Sequence, residues 1–400
     1  MLQWFKQYAE NILSALPQNR LLALDVFRGL TITAMVLVNN PGSWSYVYSP
    51  MLHAKWHGYT PTDLIFPFFV FIVGISISIV LTREIQKGTN RIALVKSAAV
   101  RAIKLCLLGL FLAVFYFNIH DANYSWLQDQ VFDVRVLGVL QRLGLVFLMT
   151  FVLVLFFKPL ARWVWLFGLL VGYWLVMAYL PYSDANGEMY VGLFQHGNSF
   201  AAWLDDRILG ASHSYYKTAM PFAFDPEGIL STLPAVASAL TGVFTGSLLI
   251  NKDVQLADKV KKLVSCGLLS LALGYAWSTI FPINKALWTS SFVLVTTGWA
   301  MLLLAALIWL IDMRGKKLWS APFVVFGANA IFFYMFSGVL ARIFLMIPVQ
   351  NGSFKGWLFT DVFQPVFGNL NGSLAYAISF LMVCYVSTHW LYKKQIFFKV

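Results

Sequence analysis

Long apolar runs separated by short polar segments dominate this chain. Each run has about 20 residues, the length that an α-helix needs to cross a hydrocarbon core of roughly 30 Å, and none alternates polar and apolar residues as barrel strands do. The pattern predicts an all-α, polytopic membrane helix bundle with about ten transmembrane helices. The ten stretches lie near residues 21–40, 62–82, 98–118, 136–157, 163–180, 229–250, 263–281, 288–311, 319–341 and 373–392.

The composition supports a lipid-embedded chain. Hydrophobic residues make up 59% of the 400 positions and charged residues only 12%, about half of the roughly 25% that soluble domains carry. This balance excludes a soluble enzyme, a secreted disulfide scaffold and a nucleic-acid binder. The three cysteines are scattered in apolar runs, so they predict neither a disulfide framework nor a metal centre. Small-xxx-small spacings at Gly168–Gly172 and Gly242–Gly246 permit close helix contacts.

The distribution of basic residues predicts the orientation. If the N-terminus is cytoplasmic and the spans alternate, 20 of the 29 Lys and Arg residues lie inside and seven outside. By the positive-inside rule this predicts that both termini are cytoplasmic. The net charge of +12 is then explained by membrane orientation and by attraction to anionic lipid, and no nucleic-acid partner is needed.

The sequence is predicted to form a short N-terminal segment followed by one long domain. Residues 1–20 are expected to form an amphipathic helix on the cytoplasmic face. Residues 21–400 are expected to form a single transmembrane domain. The largest outer segment, 181–228, is rich in Gly, Pro, Asp and aromatic residues. A loop of this length is commonly functional or disordered, and its aromatic content favours order. We expect it to be periplasmic.

Asp25, Arg28 and Arg142 lie well inside predicted spans, where ionised groups are costly and often functional. Asp25 and Arg28 are three apart on one helical face, so they form either an internal ion pair or part of a site. Arg142 has no acidic residue within one helical turn. It either extends towards an interface or faces a polar cavity that binds a ligand phosphate, and its mid-span position favours the cavity.

Polar and aromatic residues also gather where the first span ends. Asn39 closes the apolar run, and a loop with Trp44, His53, Trp56 and His57 follows. Helix capping and an aromatic membrane belt would explain them without any site. Alternatively, a histidine at such a mouth suits proton transfer or acyl transfer. A metal held by the His-x3-His spacing is less favoured, because Asp63 is the only acidic residue nearby.

Several long motifs resemble one family in order along residues 20–400. They are LLALDVFRGLTITAMVLVNNPG, HAKWHGYTPTDLIFPFFVFIVG, RVLGVLQRLGLVFL, FDPEGILSTLPA, FPINKALWTSSFVL, FGANAIFFYM and LYKKQIFFKV. Together they resemble the heparan-α-glucosaminide N-acetyltransferase family and its bacterial relatives. The resemblance implies a transmembrane acyltransferase that moves acetyl from cytosolic acetyl-CoA to the amine of a glucosamine unit across the membrane, without a metal.

The resemblance also implies a catalytic site. The family's catalytic histidine matches His53 and its partner asparagine matches Asn39, although the loop between them is a few residues longer here. His53 would take a proton from the acceptor amine, and Asn39 would orient the thioester or donate to the oxyanion. Direct transfer in a ternary complex is favoured over a two-step route through an acetyl-histidine, and the latter stays open.

Further residues are candidates for binding the two substrates. The coenzyme phosphates are expected at Arg28, Arg142, Arg101 and Lys104, although the last two also satisfy the positive-inside rule. The glucosamine is expected at carboxylates and aromatic side chains of the outer face. These are Asp225, Glu227, Trp44, Trp56 and Asp63. For Asp225 and Glu227 the simpler alternative is an acidic N-terminal helix cap.

Two other classes of function compete with the enzyme. An amino-sugar or oligosaccharide transporter is the main alternative, but transporters commonly contain internal repeats and none is visible here. A purely structural membrane protein would leave the buried charges without a purpose. We expect a bacterial inner-membrane enzyme whose acceptor is glucosamine or a glucosamine-containing oligosaccharide. The sequence leaves open whether it forms a homodimer.

Overall fold

The computed structural model describes residues 2–16, 21–121, 123–350 and 352–398. Helices account for nearly all of the regular structure. They are α1 (Leu2–Ser14), α2 (Leu22–Asn39), α3 (Pro61–Gln86), α4 (Arg91–Val114), α5 (Val139–Phe156), α6 (Pro159–Tyr179), α7 (Phe200–Ile208), α8 (Thr232–Ile250), α9 (Leu256–Trp277), α10 (Ser290–Leu307), α11 (Ala321–Ala328), α12 (Ala330–Met346), α13 (Phe354–Trp357), α14 (Gln364–Phe367) and α15 (Asn369–Lys393).

The described chain contains three short hairpins, each made of two strands of two residues. Each is antiparallel and lies between helices. The pairs are β1 (Tyr182–Ser183) with β2 (Met189–Tyr190), β3 (Phe194–Gln195) with β4 (Asn198–Ser199), and β5 (Pro348–Val349) with β6 (Gly352–Ser353). The prediction of an all-α membrane bundle is therefore confirmed.

Within the described ranges, eight helices are long and apolar enough to cross a membrane. They are α2, α3, α4, α5, α6, α8, α10 with its continuation to Met313, and α15. Helices α11 and α12 are bent by 75° at their junction and would make a ninth span if counted together. The predicted seventh span falls on α9, whose first turns carry Asp258, Lys259, Lys261 and Lys262. Ten spans and cytoplasmic termini are thus not confirmed.

Glycines let α3 and α8 pack backbone to backbone at the centre of the bundle. A methyl group built on Gly242 would lie 2.0 Å from the carbonyl oxygen of Phe71, and one on Gly74 would lie 1.9 Å from that of Ala239. The spacing at Gly242–Gly246 therefore does mark a close contact. The same spacing at Gly168–Gly172 marks none, because both glycines of α6 have nothing within 4 Å.

Asn329 makes the bend between α11 and α12. Its backbone leaves the helical region, and its side chain is 1% exposed. The side-chain amide donates to the carbonyl oxygen of Ile396, and its oxygen accepts from the amide of Phe398. The C-terminal segment thereby supplies hydrogen bonds to a side chain at a position where the helix is interrupted.

The predicted outer segment is ordered around an aromatic core. Tyr182, Phe222 and Phe224 are each at most 4% exposed, and Trp203 packs beside them. The serine before α7 caps that helix, since Ser199 Oγ accepts from the amide of Ala202. This small core rests on the end of the bundle at which α3 and α8 begin. Its periplasmic location stays a prediction.

The N-terminal segment forms the expected helix over α1. Ala9 and Ile12 are buried, whereas Lys6 and Glu10 are exposed, so the helix is amphipathic and rests one face on the bundle. Residues 1 and 17–20 of the predicted segment lie outside the described residues. The domain boundary near residue 20 and the cytoplasmic placement stay predictions.

We expect Gly242→Val to destabilise the protein, because the added side chain must push α3 away from α8. Overpacked sites typically cost about 1–3 kcal/mol, and the contact here involves backbone that cannot rotate away. Thermal unfolding in detergent should show a clear fall in Tm. Gly168→Val is the matched control, because its side chain would enter open space; an equal fall in both variants would contradict this packing.

Candidate functional site

Asp63 organises the cluster of polar groups at the beginning of α3. It is the third residue of the helix and only 1% exposed. Its Oδ2 accepts from the backbone amide of Thr60 at 2.9 Å and from that of Ala54 at 3.0 Å. These bonds satisfy free amides at the helix start and fix the carboxylate, so that Oδ1 can contact other groups.

His53 contacts that second oxygen. Its Nδ1 lies 2.6 Å from Asp63 Oδ1, and the imidazole is half-exposed. A carboxylate on Nδ1 orients the ring, the arrangement by which histidines act as bases. The other ring nitrogen, Nε2, lies 3.3 Å from Lys285 Nζ. The sequence placed Asp63 among the sugar-binding residues. In the structure it holds the imidazole and also lines the cavity in front of it, so its contact with a sugar stays a prediction.

Lys285 is the third member of this cluster. Its Nζ lies 3.0 Å from His53 Nδ1 and 3.5 Å from Asp63 Oδ1. Burial lowers the pKa of Lys285, and the nearby Asp63 and Glu227 carboxylates oppose that shift. The loop around it is tied to the aromatic loop, because Asn284 donates to the carbonyl oxygen of Trp56. Sequence reasoning missed Lys285, although the polar pair in FPINKALW between two apolar runs was a usable signal.

Arg135 pairs with the two carboxylates of the DPEG motif. Its Nε and one terminal nitrogen bind Asp225 at 2.7 and 2.6 Å, and the latter nitrogen also binds Glu227. Burial raises the pKa of Asp225 against the effect of Arg135. Burial also tends to raise the pKa of Glu227. The positive charges of Arg135, Arg142 and Lys285 outweigh this effect and hold the pKa of Glu227 below its usual value.

These contacts bear on the predicted roles of the two acids. Neither caps α8, which begins at Thr232 after Ser231. Asp225 is 1% exposed and bound by Arg135, so a ligand would have to displace the arginine to reach it. Glu227 differs, because it also lines the cavity that contains His53. Arg135 was not among the predicted site residues.

A cavity of about 280 Å³ lies in front of His53 and is named here the His53 cavity. Asn39, the last residue of α2, lines it with an exposed side chain, while Asn40 binds back to the Val36 carbonyl oxygen. Trp56 also lines it and donates from Nε1 to the Phe194 carbonyl oxygen at 2.7 Å. Trp44 is 59% exposed and is not part of this lining.

A second cavity, of about 520 Å³, lies towards the start of α2 and is named the Arg28 cavity. Arg28 donates to Asp25 and to the Gly327 carbonyl oxygen, both at 2.9 Å. This side chain therefore forms the predicted ion pair and also lines a cavity. Arg101 lines this cavity and lies over the Phe147 ring. No ion pair joins Arg101 to a carboxylate among the described residues. Lys104 does not line the cavity.

A narrow apolar cavity of about 20 Å³ lies between these two. It shares Met35 and Tyr334 with the His53 cavity, and Leu143 and Ile331 with the Arg28 cavity. The three spaces therefore form a row along α2. The 11 residues from Arg28 to Asn39 correspond to a helix length of about 17 Å. An elongated ligand with an anionic end and an apolar stem would have to widen the middle space of about 20 Å³ in order to fill the row.

Arg142 lies outside this row. It is fully buried, donates to the Gly228 carbonyl oxygen and to Ser231 Oγ, and lies over the Trp288 ring. It lines neither the His53 cavity nor the Arg28 cavity. Its contacts brace the turn between the DPEG motif and α8, so its predicted contact with the coenzyme is not supported by its position.

The arrangement suits transfer chemistry between two substrates. An imidazole oriented by a carboxylate can accept a proton, an ammonium and an exposed amide can donate to a developing oxyanion, and two arginines at the far end favour an anion. Among the described residues, no three His, Cys, Asp or Glu side chains are grouped as metal ligands.

Comparison with known proteins relates these residues to one family. The family model described as "Heparan-alpha-glucosaminide N-acetyltransferase, catalytic" matches residues 20–280. The human heparan-alpha-glucosaminide N-acetyltransferase is 31% identical over 437 aligned positions, and the mouse protein is 31% identical over 431. These alignments cover 97% and 96% of this chain. The chain spans 61% of the length of each relative.

We expect Arg135→Gln to destabilise the protein, because it leaves two buried carboxylates without their cation. Breaking a buried ion pair from one side costs about 3–5 kcal/mol. The loss should be larger at pH 8 than at pH 5. Without the arginine, the folded-state pKa of the carboxylates rises above the unfolded value, so the deficit shrinks as pH falls through it and the acids become neutral.

Thermal unfolding at both pH values measures this effect. Lys217→Gln is the matched control, since it removes a pair with Asp133 in which both side chains are about half-exposed, and such pairs contribute about 0–1 kcal/mol. If Arg135→Gln unfolded at the wild-type temperature, the buried network would not have the importance assigned to it.

Proposed function

This chain belongs to the heparan-alpha-glucosaminide N-acetyltransferase family, and we propose that it is itself a transmembrane N-acetyltransferase. The proposed reaction moves an acetyl group from acetyl-CoA to the amine of a glucosamine-type sugar. One observation carries the proposal: neighbouring cavities that share lining residues run from the His53–Asp63 pair to the Arg28 cavity, where Arg28 and Arg101 lie. A thioester at the end of a long arm could thus meet an amine without leaving the protein.

The proposed reaction begins with the acceptor amine. An ammonium has no lone pair, so it must first lose a proton, and His53 Nε2 is the proposed base. The amine nitrogen then attacks the thioester carbonyl carbon and forms the new C–N bond. The attacking nitrogen still carries a surplus proton, which His53 takes after it has released the first one to solvent. The C–S bond breaks, and His53 passes this second proton to the departing thiolate of coenzyme A. The products are the N-acetylated sugar and free coenzyme A.

The neighbours of His53 have separate proposed roles. Asp63 orients the ring and stabilises its charge when it holds the proton, at 2.6 Å from Nδ1. Asn39 donates to the oxyanion of the tetrahedral intermediate. Lys285, partly buried beside the same ring, supplies a second donor to the oxyanion.

Direct transfer remains the favoured route over an acetyl-histidine intermediate. The two substrates are proposed to approach His53 from opposite ends of the row of cavities, so neither would have to leave before the other binds. The two-step route forms and breaks an acetyl bond at His53. Mass spectrometry of protein incubated with acetyl-CoA alone distinguishes them, since a stable acetyl group on His53 supports only the two-step route.

The coenzyme is proposed to enter from the cytoplasm, with its phosphates in the Arg28 cavity. Arg28 and Arg101 are the proposed contacts, and Arg101 has its charge available for an anion. Lys104 and Arg142 are left out of this site because neither lines the cavity. The opposite end would face the periplasm of a bacterial inner membrane, as the basic-residue distribution predicts.

The acceptor is proposed to bind in the His53 cavity through its amine and ring. Glu227 lines that cavity and provides a negative charge for the ammonium, while Trp56 offers an apolar surface to a sugar ring. Asp225 and Trp44 are not included, because one is bound by Arg135 and the other lies outside the lining. A transporter would need no oriented base beside the sugar, and the His53–Asp63 pair therefore favours the enzyme.

We expect His53→Ala to abolish transfer while leaving acetyl-CoA binding nearly unchanged. Positioned proton transfer contributes about 10²–10⁴-fold in rate, and the phosphate-binding arginines lie at the other end of the row. The measurement is release of free coenzyme A by purified protein that is given acetyl-CoA and glucosamine. Asp63→Asn should also slow release, because the ring loses its charged partner.

His57→Ala is the matched control, because His57 lies four residues on and does not line the His53 cavity. It should retain nearly full turnover. N-acetylglucosamine should give no release with the wild-type protein, since its amine is already acylated. Near-normal turnover by a folded His53→Ala variant would end the assignment of this base.

We expect Arg28→Gln and Arg101→Gln to weaken acetyl-CoA binding. A hydrogen bond to a charged group contributes about 1.5–3 kcal/mol, so each variant should lose on the order of tenfold or more in affinity, as measured by calorimetry. Lys104→Gln is the control, a basic residue one turn from Arg101 whose side chain lies outside the cavity. Equal weakening in all three would indicate a diffuse charge effect and contradict the proposed site.

A further inference from the structure

A large cavity lies away from the row of cavities just discussed. It is a groove of about 960 Å³ between α1, α2, α11 and α15, named here the α1–α15 groove. Phe323, Phe326 and Leu381 form part of its apolar wall. Trp4 and Met382 also line it and are 68% and 57% exposed, so the groove opens at the surface of the protein.

The length of the groove matches half of a bilayer. It follows α15 from Leu381 to Lys393, a rise of about 18 Å along the helix. One leaflet contributes roughly 15 Å to the hydrocarbon core. The groove therefore begins at the membrane surface, where α1 and the end of α15 lie, and ends near the bilayer centre. This is the depth that an acyl chain of one leaflet occupies.

The basic side chain that lines the groove lies at its surface end. Lys393 lines it there, is exposed, and makes no ion pair with a described acidic residue. One turn deeper, the His389 ring packs between the rings of Tyr8 and Tyr385. Its Nδ1 is buried and has no hydrogen-bond partner among the described residues. None of the described lining residues is acidic.

We propose that the α1–α15 groove binds one anionic phospholipid from the leaflet at which α1 lies. An acyl chain fills the apolar wall, the phosphate pairs with Lys393, and the glycerol or ester region reaches His389. A soluble ligand would not match a wall that is apolar over the depth of a leaflet. A zwitterionic lipid would bring its own cation next to Lys393, so the charge favours an anionic headgroup.

This site is independent of the proposed acetyl transfer. Its predicted effect is structural, because α1 forms one wall of the groove and a bound lipid would hold that helix against α11 and α15. A ligand that binds only the folded state raises its stability by mass action. Binding can therefore be measured without any assay of activity.

The test uses the purified full chain, stripped of lipid in detergent. Native mass spectrometry should show one phosphatidylglycerol retained per chain and no comparable retention of phosphatidylcholine. Phosphatidylglycerol should also raise Tm, whereas glycerol phosphate and phosphatidylcholine should not. Equal retention of both lipids would overturn the anionic assignment. An equal shift with glycerol phosphate would replace the lipid with a soluble anion and overturn the proposal.

Variants locate the site on the chain. Lys393→Gln should reduce retention of phosphatidylglycerol about tenfold, the effect of one charged hydrogen bond. Lys394→Gln is the matched control, because Lys394 is exposed beside it and does not line the groove. Thr33→Phe, which fills the deep end of the groove, should abolish retention. Wild-type retention by Lys393→Gln and Thr33→Phe, or a lipid-free dimer that buries α1 and α15, would contradict the proposal.

Discussion

The carboxylate of Asp63 is the interaction on which the candidate site depends. One oxygen accepts backbone amides from the start of α3 and from the preceding loop, and the other contacts His53 and Lys285. An acidic residue near a helix N-terminus is favoured by the helix itself. The site thus takes its rigidity from a group that the fold already requires. The imidazole is positioned by a helix that is buried among its neighbours and not by its own loop alone.

A second constraint comes from the lipid, which supplies no hydrogen bonds to polar groups in the core. Charges within this bundle are accordingly held by specific partners: Arg28 by Asp25 and the Gly327 carbonyl oxygen, and Arg142 by the Gly228 carbonyl oxygen and Ser231. The two arginines look alike in the sequence. Of the two, Arg28 lines a cavity, whereas Arg142 is covered by Trp288 and lines neither the His53 cavity nor the Arg28 cavity.

Periodicity and composition predicted the helical architecture, because burial in lipid leaves a strong signal in each run. The helix boundaries of α2, α5 and α8 were close to those expected. Pairing over long separations was not predictable. Lys285 meets His53 across 232 positions and Arg135 meets Asp225 across 90, and no local pattern encodes either contact. Likewise, the same glycine spacing occurs in α6 and α8, but only the glycines of α8 make a close helix contact. The packing of the whole bundle decides which helix face meets a neighbour, and the spacing alone does not reveal it.

The bend at Asn329 has a consequence for how the chain assembles. Its amide group is buried, yet both of its partners, Ile396 and Phe398, lie almost 70 residues further along. During synthesis α11 and α12 must therefore enter the membrane before these partners exist, and the amide must rely on other groups in the meantime. The bend reaches its final form only when α15 has crossed and its end has folded back. The junction of α11 and α12, although central in the bundle, is among the last parts of the molecule to be completed.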